Sequence, residues 1–277
     1  MASAVRRVAV ITHGKAETIG PALDRLGSIA REAGVELLVD EAEAAKHHVA
    51  SAESELEAAD LAVVLGGDGT MLRALARYLG TDVPVIGVNF GRVGFLSSIP
   101  RSEFESGLAR AFAGDFRVVE LPTLEVEVEE ERRVAVNDLV LASAVVGRMV
   151  QLEWAIGGEA LGRLGCDGVV CSTPSGSTGY NFSNGGPVLV WGMDAMAVTF
   201  VAPHSLNARP LVVPRGSDLF VWNRTPDVPV TALVDGHPVV ELPPGGRALA
   251  RVGPQCSLLA TLPEVTFFSR YSRTFAS

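Results

Sequence analysis

The chain has 277 residues, 48% of them apolar, and a formal net charge of −9. That length suits one large domain or two ordinary ones, with apolar residues enough for a sizeable core. The acidic balance excludes non-specific nucleic-acid binding and an anionic membrane surface as the main business of the chain.

The first third alternates strands and helices. Val8 to Thr12 is a predicted strand. Thr18 to Ala33 places Ile19, Leu23, Leu26, Ile29 and Ala30 at helical spacing, and Gly34 ends that helix. Val35 to Val39 and Leu61 to Leu65 are further strands, Met71 to Leu79 a helix, Val83 to Val88 a strand and Ser102 to Phe112 a helix. Alternation of this kind predicts a parallel, Rossmann-like sheet whose ligands lie at the carboxyl ends of its strands.

From Phe116 the period changes. Leu124-Glu125-Val126-Glu127-Val128-Glu129 alternates strictly, as a half-buried antiparallel strand does, and Arg132 to Leu141 returns from it. Val150 to Ile156 runs into Gly157-Gly158, a hairpin turn, and Asp235-Gly236 reads as another. Short strands follow at Ala197 to Val201, Leu219 to Trp222, Val230 to Val234 and Ala248 to Val252. The expected architecture is an α/β domain over residues 1–115 and a β-sandwich over 116–262. Residues 263–277 form a polar, aromatic tail.

Cys166, Cys171 and Cys256 have neither zinc spacing nor an even count, and read as reduced, buried small residues. The N-terminus becomes a strand within a dozen residues, so no secretory leader is expected. No uninterrupted apolar run reaches the length of about 18 residues that a membrane span needs, Asp194 interrupting the most apolar region. A cytoplasmic protein is expected. Lysine occurs only as Lys15 and Lys46, neither in P-loop spacing, so a P-loop is excluded.

The segment that speaks most directly of chemistry is Val64-Leu65-Gly66-Gly67-Asp68-Gly69-Thr70, a strand, a glycine turn and a helix start. Helix N-termini favour anions, and Gly66, Gly67 and Gly69 allow close backbone approach or positive φ. A carboxylate would repel a phosphate there unless it does something else. It could take a proton from an attacking hydroxyl, or hold a divalent cation between phosphates. The alternative is a plain turn with Asp68 capping the helix.

Gly-Gly-Asp-Gly-Thr behind a buried strand resembles the hydroxyl-directed kinases: NAD kinases, diacylglycerol and sphingosine kinases, and 6-phosphofructokinases. Downstream residues resemble the NAD kinase family in particular. They are Val88 to Leu96, Asn137-Asp138-Leu139-Val140-Leu141, the run from Asp167 through Thr173-Pro174-Ser175-Gly176-Ser177-Thr178-Gly179-Tyr180, Gly185-Gly186-Pro187 and Pro203 to Pro210. The motifs stand in the family's order, and the resemblance covers nearly the whole chain.

The resemblance implies phosphoryl transfer to the 2′-hydroxyl of the adenosine ribose of NAD, giving NADP, with Asp68 as general base. It implies ATP as donor, a divalent cation such as Mg²⁺, a C-terminal tail over residues 263–277 that returns to the first domain, and a homodimer or homotetramer with the site near a subunit boundary. It assigns ligand contacts to Gly67, Gly69 and Arg73. Asn137 and Asp138 would hold adenine and ribose, with Asp138 standing where the family usually has Glu. Ser175, Thr178, Gly179, Tyr180, Asn181, Phe182 and Ser183 carry binding roles, Gly179 replacing the commoner Ala. Asp167 would face the nicotinamide side, and Arg148 would lie near the substrate. Gly165 stands where, in the family, Arg goes with strict ATP use and Gly with acceptance of inorganic polyphosphate as well. His204 and His237 read as structural histidines. A lipid kinase would share the first motif and lack the later ones. A non-catalytic NAD(P) sensor would not need Asp68.

Overall fold

A computed structural model of the chain describes residues 5–13, 16–41, 44–45, 53–91 and 94–275. In chain order the elements are β1 (Arg7–Thr12), α1 (Ala16–Ala33), β2 (Glu36–Val39), β3 (Leu61–Gly66), α2 (Asp68–Arg77), β4 (Val85–Asn89), β5 (Ile99–Pro100), α3 (Phe104–Phe112) and β6 (Arg117–Val128). There follow β7 (Glu131–Ala135), β8 (Asp138–Ser143), β9 (Val150–Ile156), β10 (Glu159–Cys166), β11 (Gly168–Ser172), a one-turn helix α4 (Tyr180–Ser183), β12 (Ala195–Val201) and β13 (Leu211–Pro214). The chain closes with β14 (Leu219–Asn223), β15 (Val230–Val234), β16 (His237–Leu242), β17 (Arg247–Thr261) and α5 (Phe267–Phe275). Two compact units result: residues 1–120 with 257–277, and residues 121–256.

The first unit is built on parallel strands in the order β2-β1-β3-β4, with β5 parallel to β4 and Leu259 of β17 paired to Val85. Strand β3 is buried along its whole length, which is why its sequence is a continuous apolar run. Leu61, Val63 and Leu65 share one core with Ile19 and Leu26 of α1, Phe104 and Leu108 of α3, and Ala260 and Leu262. Burial of each such side chain is worth about 1.5–3 kcal/mol. Gly34, at φ +68°, ends α1 in the left-handed conformation that favours glycine.

The second unit is a sandwich. One sheet runs β13-β12-β11-β8-β15-β16, antiparallel throughout. The other includes β10, β9, β14 and the first part of β17, also antiparallel. Its core takes Leu124 and Val126 from β6, Leu139 and Leu141 from β8, Val169 and Cys171 from β11 and Ala232 from β15. Gly157 and Gly158, and likewise Asp235 and Gly236, both have positive φ at successive positions, as two-residue hairpins between right-twisted strands require.

Three sequence expectations change. The predicted return strand over Arg132 to Leu141 is two strands, broken at Val136-Asn137, where the main chain turns to Asp235 instead of a neighbouring strand. Helix α2 begins at Asp68, three residues before the predicted start. The tail contains a nine-residue helix, α5. No helix among the described residues is long and apolar enough to cross a membrane.

Candidate functional site

In the first unit, β3 delivers the chain to Gly67, the N-cap of α2, which has φ −104° and no side-chain capping bond. Asp68 is therefore not the cap. It is the first helical residue, and its carboxylate turns to the loop behind β4. Oδ2 accepts the N–H of Phe95 at 2.7 Å and Oδ1 that of Leu96 at 3.1 Å. Of the two uses expected for the glycines, positive φ is not the one found: neither Gly66, Gly67 nor Gly69 has it. At Gly66 a Cβ would stand 2.5 Å from the Thr70 hydroxyl, so this glycine serves packing. Gly69 is exposed, with no described atom within 4 Å of where its Cβ would be, which leaves the helix start open to a ligand.

Burial raises the pKa of Asp68, opposed by the N–H groups of Phe95, Leu96 and Ser97 and by the positive charge of Arg270. Desolvation outweighs the donors here. A carboxylate with a raised pKa is a stronger base once ionised. Arg73 is exposed and donates to the Thr12 carbonyl at 3.2 Å, beside the end of β1. Arg77 pairs with Asp40.

Sequence reasoning passed over the residue that holds the Asp68 loop. Arg270 of α5 is 0% exposed and donates through Nη1 to the carbonyls of Phe95 and Ser97, both at 2.6 Å, and through Nη2 to the Thr261 hydroxyl at 2.9 Å. The available signal was an arginine on an aromatic face, Phe267-Phe268-Ser269-Arg270-Tyr271.

In the second unit the Asp235 turn organises a polar cluster. Its carboxylate accepts the N–H groups of Val136, Asn137 and Asp138 at 2.9, 2.7 and 3.1 Å. Ser175 donates its hydroxyl to Asn137 Oδ1 at 3.1 Å, and the Thr173 N–H reaches the Asn137 carbonyl at 2.8 Å. A Cβ on Gly176 would stand 2.2 Å from that carbonyl, so the close approach requires glycine. Asn137, Asp138 and Ser175 are thus brought together. Asp138 is buried, and burial first, then the neighbouring Asp235 charge, pushes its pKa up to about 7. Burial also raises Asp235, but its three N–H donors favour its ionised form, so a proton shared by the pair rests on Asp138.

The rest of the motif divides. Thr178 donates its hydroxyl to the Ser175 carbonyl at 3.2 Å and shapes the turn. Gly179, Tyr180, Phe182 and Ser183 are exposed. Asn181 departs from the expected role. It is 0% exposed, its amide donates to the Ser177 and Pro187 carbonyls, and its Oδ1 accepts from Thr199 at 2.7 Å. It holds the loop, with its side chain in the interior.

Asp167 and Arg148 are not brought to this cluster. Asp167 precedes β11 and Thr173 follows it, so six steps of extended chain, roughly 20 Å at about 3.3 Å each, separate them. Arg148 follows the far end of β8 and pairs with Asp227 at 2.8 Å, both exposed. The main chain of Gly165 meets the N–H of His204 at 2.8 Å near that far end. His204 and His237 are exposed. Cys166 and Cys171 are buried free cysteines, and Cys256 is half-buried.

Two family models match: the ATP-NAD kinase N-terminal domain over residues 12–116 and the ATP-NAD kinase C-terminal domain over residues 136–261. The NAD kinase of Nitratidesulfovibrio vulgaris is 34% identical over 278 aligned residues, covering 98% of this chain and 96% of that protein. The chain belongs to the NAD kinase family. The NAD kinase of Gemmatimonas aurantiaca is 38% identical over 219 residues, 76% of this chain and 75% of its own. Two solved structures share the fold. Yeast NADH kinase complexed with NADH has a TM-score of 0.87 at 23% identity, covering 99% of this chain and 88% of its own. An Archaeoglobus fulgidus NAD kinase in complex with ATP has a TM-score of 0.77 at 24% identity, covering 98% and 97%. Membership removes the lipid kinase alternative.

Proposed function

We propose that the chain is an NAD kinase that moves the terminal phosphoryl group of ATP to the 2′-hydroxyl of the adenosine ribose of NAD, giving NADP and ADP. The observation that carries this reading is the Asp68 carboxylate, fixed by two main-chain N–H groups at the open start of α2. Asp68 takes the 2′-hydroxyl proton as the oxygen bonds to the terminal phosphorus, and the bond from that phosphorus to the bridging oxygen breaks to release ADP. Asn137 offers its amide to the adenine edge, and Asp138 receives ribose hydroxyls, its shorter side chain drawing the ribose nearer than Glu would. Ser175, Thr178, Gly179, Tyr180, Phe182 and Ser183 line the path of the dinucleotide, and Gly67, Gly69 and Arg73 meet phosphates. An intact Asp68 favours an enzyme over an NAD(P) sensor.

A divalent cation bound with the donor, Mg²⁺ being the natural ion, would offset the charge on its phosphates. Among the described residues no three His, Cys, Asp or Glu side chains stand together to cage an ion, which suits one held mainly by phosphates. Asp167 and Arg148 serve the nicotinamide half of NAD bound by a second copy of the chain; the strand length of roughly 20 Å between Asp167 and Thr173 supports a homodimer or homotetramer. Light scattering tests this, and a monomer at assay concentration contradicts it. The enzyme works in the cytoplasm. Inorganic polyphosphate also serves as donor, on the strength of Gly165. The test of the whole reading is NADP formation from NAD and ATP by the purified protein; binding of NAD without turnover would favour the sensor instead.

A further inference from the structure

Burying an arginine is costly, and an apolar side chain of the same volume often serves a core at least as well. Arg270 is nevertheless fully buried, and burial lowers its pKa to about 9, so it stays charged at neutral pH. Its contacts explain what the charge is for. Nη1 holds the Phe95 carbonyl at 2.6 Å. The N–H of that same peptide unit belongs to Leu96 and donates to Asp68 Oδ1 at 3.1 Å. A peptide unit is planar, so fixing its carbonyl fixes the direction of its N–H. The Ser97 carbonyl, on the same Nη1 at 2.6 Å, holds the other side of the loop. Helix α5 is itself anchored there, Phe267 meeting the Phe95 ring edge-on at 5.4 Å between centroids.

We propose that Arg270 is a positioning residue for phosphoryl transfer, holding the Phe95–Ser97 main chain so that its N–H groups fix the Asp68 carboxylate. The inference rests on Asp68 being the base of the proposed reaction. Arg270 also acts on Asp68 through its charge. The groups bearing on Asp68 are Arg270 and the N–H groups of Phe95, Leu96 and Ser97; those bearing on Arg270 are Asp68, Arg273 on its own helix and Arg117 at the start of β6. Removing the cation and loosening the donors both raise the pKa of Asp68 further.

Arg270→Met and Arg270→Lys test the proposal through kcat and KM across pH, with a ¹³C titration of the Asp68 carboxyl assigned by its loss in Asp68→Asn. In R270M the acid limb of kcat moves to higher pH with the Asp68 titration. Activity on that limb falls about tenfold for each unit of movement, recovers at alkaline pH, and leaves both KM values unchanged. R270K keeps the charge but cannot hold two carbonyls in guanidinium geometry, so it shifts less in the same direction. A folded R270M in which neither the limb nor the titration moves, or a loss equal at every pH, overturns the proposal. If R270M does not fold, an unmoved Asp68 titration in R270K does the same. Should the wild-type protein make no NADP, the functional reading fails, while the titration still reads the link from Arg270 to Asp68.

Discussion

Asp68 and Asp138 are both half- or fully buried carboxylates with raised pKa values, yet their surroundings differ. Asp68 has three main-chain N–H groups and a cation favouring its ionised form; burial and the Asp235 charge both press Asp138 towards its protonated form. The consequence for stability has a definite sign. Folded Asp138 keeps its proton up to about pH 7, whereas in the unfolded chain it releases it near its ordinary value of 3.8. Between about pH 4 and 7 the folded state binds the extra proton, so this group's contribution falls as pH rises, by about 1.4 kcal/mol per pH unit. Asp138→Asn removes that slope. Urea unfolding at several pH values should show the variant gaining on the wild type as pH rises; a constant difference would place the proton elsewhere. Asn137 is read differently. Its Oδ1 already accepts from Ser175, leaving its amide N–H₂ for the adenine edge. Asn137→Ala should raise the KM for NAD, at a cost of about 1–3 kcal/mol, more than the KM for ATP. Equal KM values in variant and wild type would reduce Asn137 to a turn residue.

Elements that bury a regular stripe or a continuous run were legible in the sequence: β1, α1, β3, β4 and α3 come from their periodicity, and both hairpin turns from Gly157-Gly158 and Asp235-Gly236. Strand β10 was not legible, because its first five residues are exposed and carry no alternation. Helix α5 buries only Phe267 and Arg270, so its aromatic sequence reads as a tail. Within the candidate site, Asp68 and the Asn137–Ser175 cluster were found through motifs. Asn181 was read as a ligand contact because a motif shows which residues matter without showing which way they face. Arg270 escaped because it acts from another element, roughly two hundred residues away in the chain. The element that most needs its residue is the Gly176–Thr178 turn. Gly176→Ala would press a methyl onto the Asn137 main chain, where the built Cβ stands 2.2 Å from the carbonyl oxygen. The expected cost is about 1–3 kcal/mol in stability, together with a raised KM for NAD. A variant unchanged in both would show that the turn yields freely.

At the scale of the molecule, donor choice tests how the outlying residues contribute. A Cβ on Gly165 would meet the end of the flexible Gln151 side chain at 2.9 Å, so Gly165→Arg should fold. It should lose polyphosphate-dependent NADP formation while keeping most of the ATP-dependent rate; an equal fall with both donors would mean general damage to the strand. Everything proposed for the site depends on this chain phosphorylating NAD with Asp68 as the base. The most direct measurement is NADP formation from NAD and ATP by the wild type and by Asp68→Asn, each shown to be folded. The amide is close to isosteric with the carboxylate but cannot take a proton at neutral pH. Turnover by the wild type and a loss of about 10²–10⁴-fold in kcat for the variant are expected. No turnover by the folded wild type would refute NAD kinase activity, and a variant within a few-fold of it would refute Asp68 as the base.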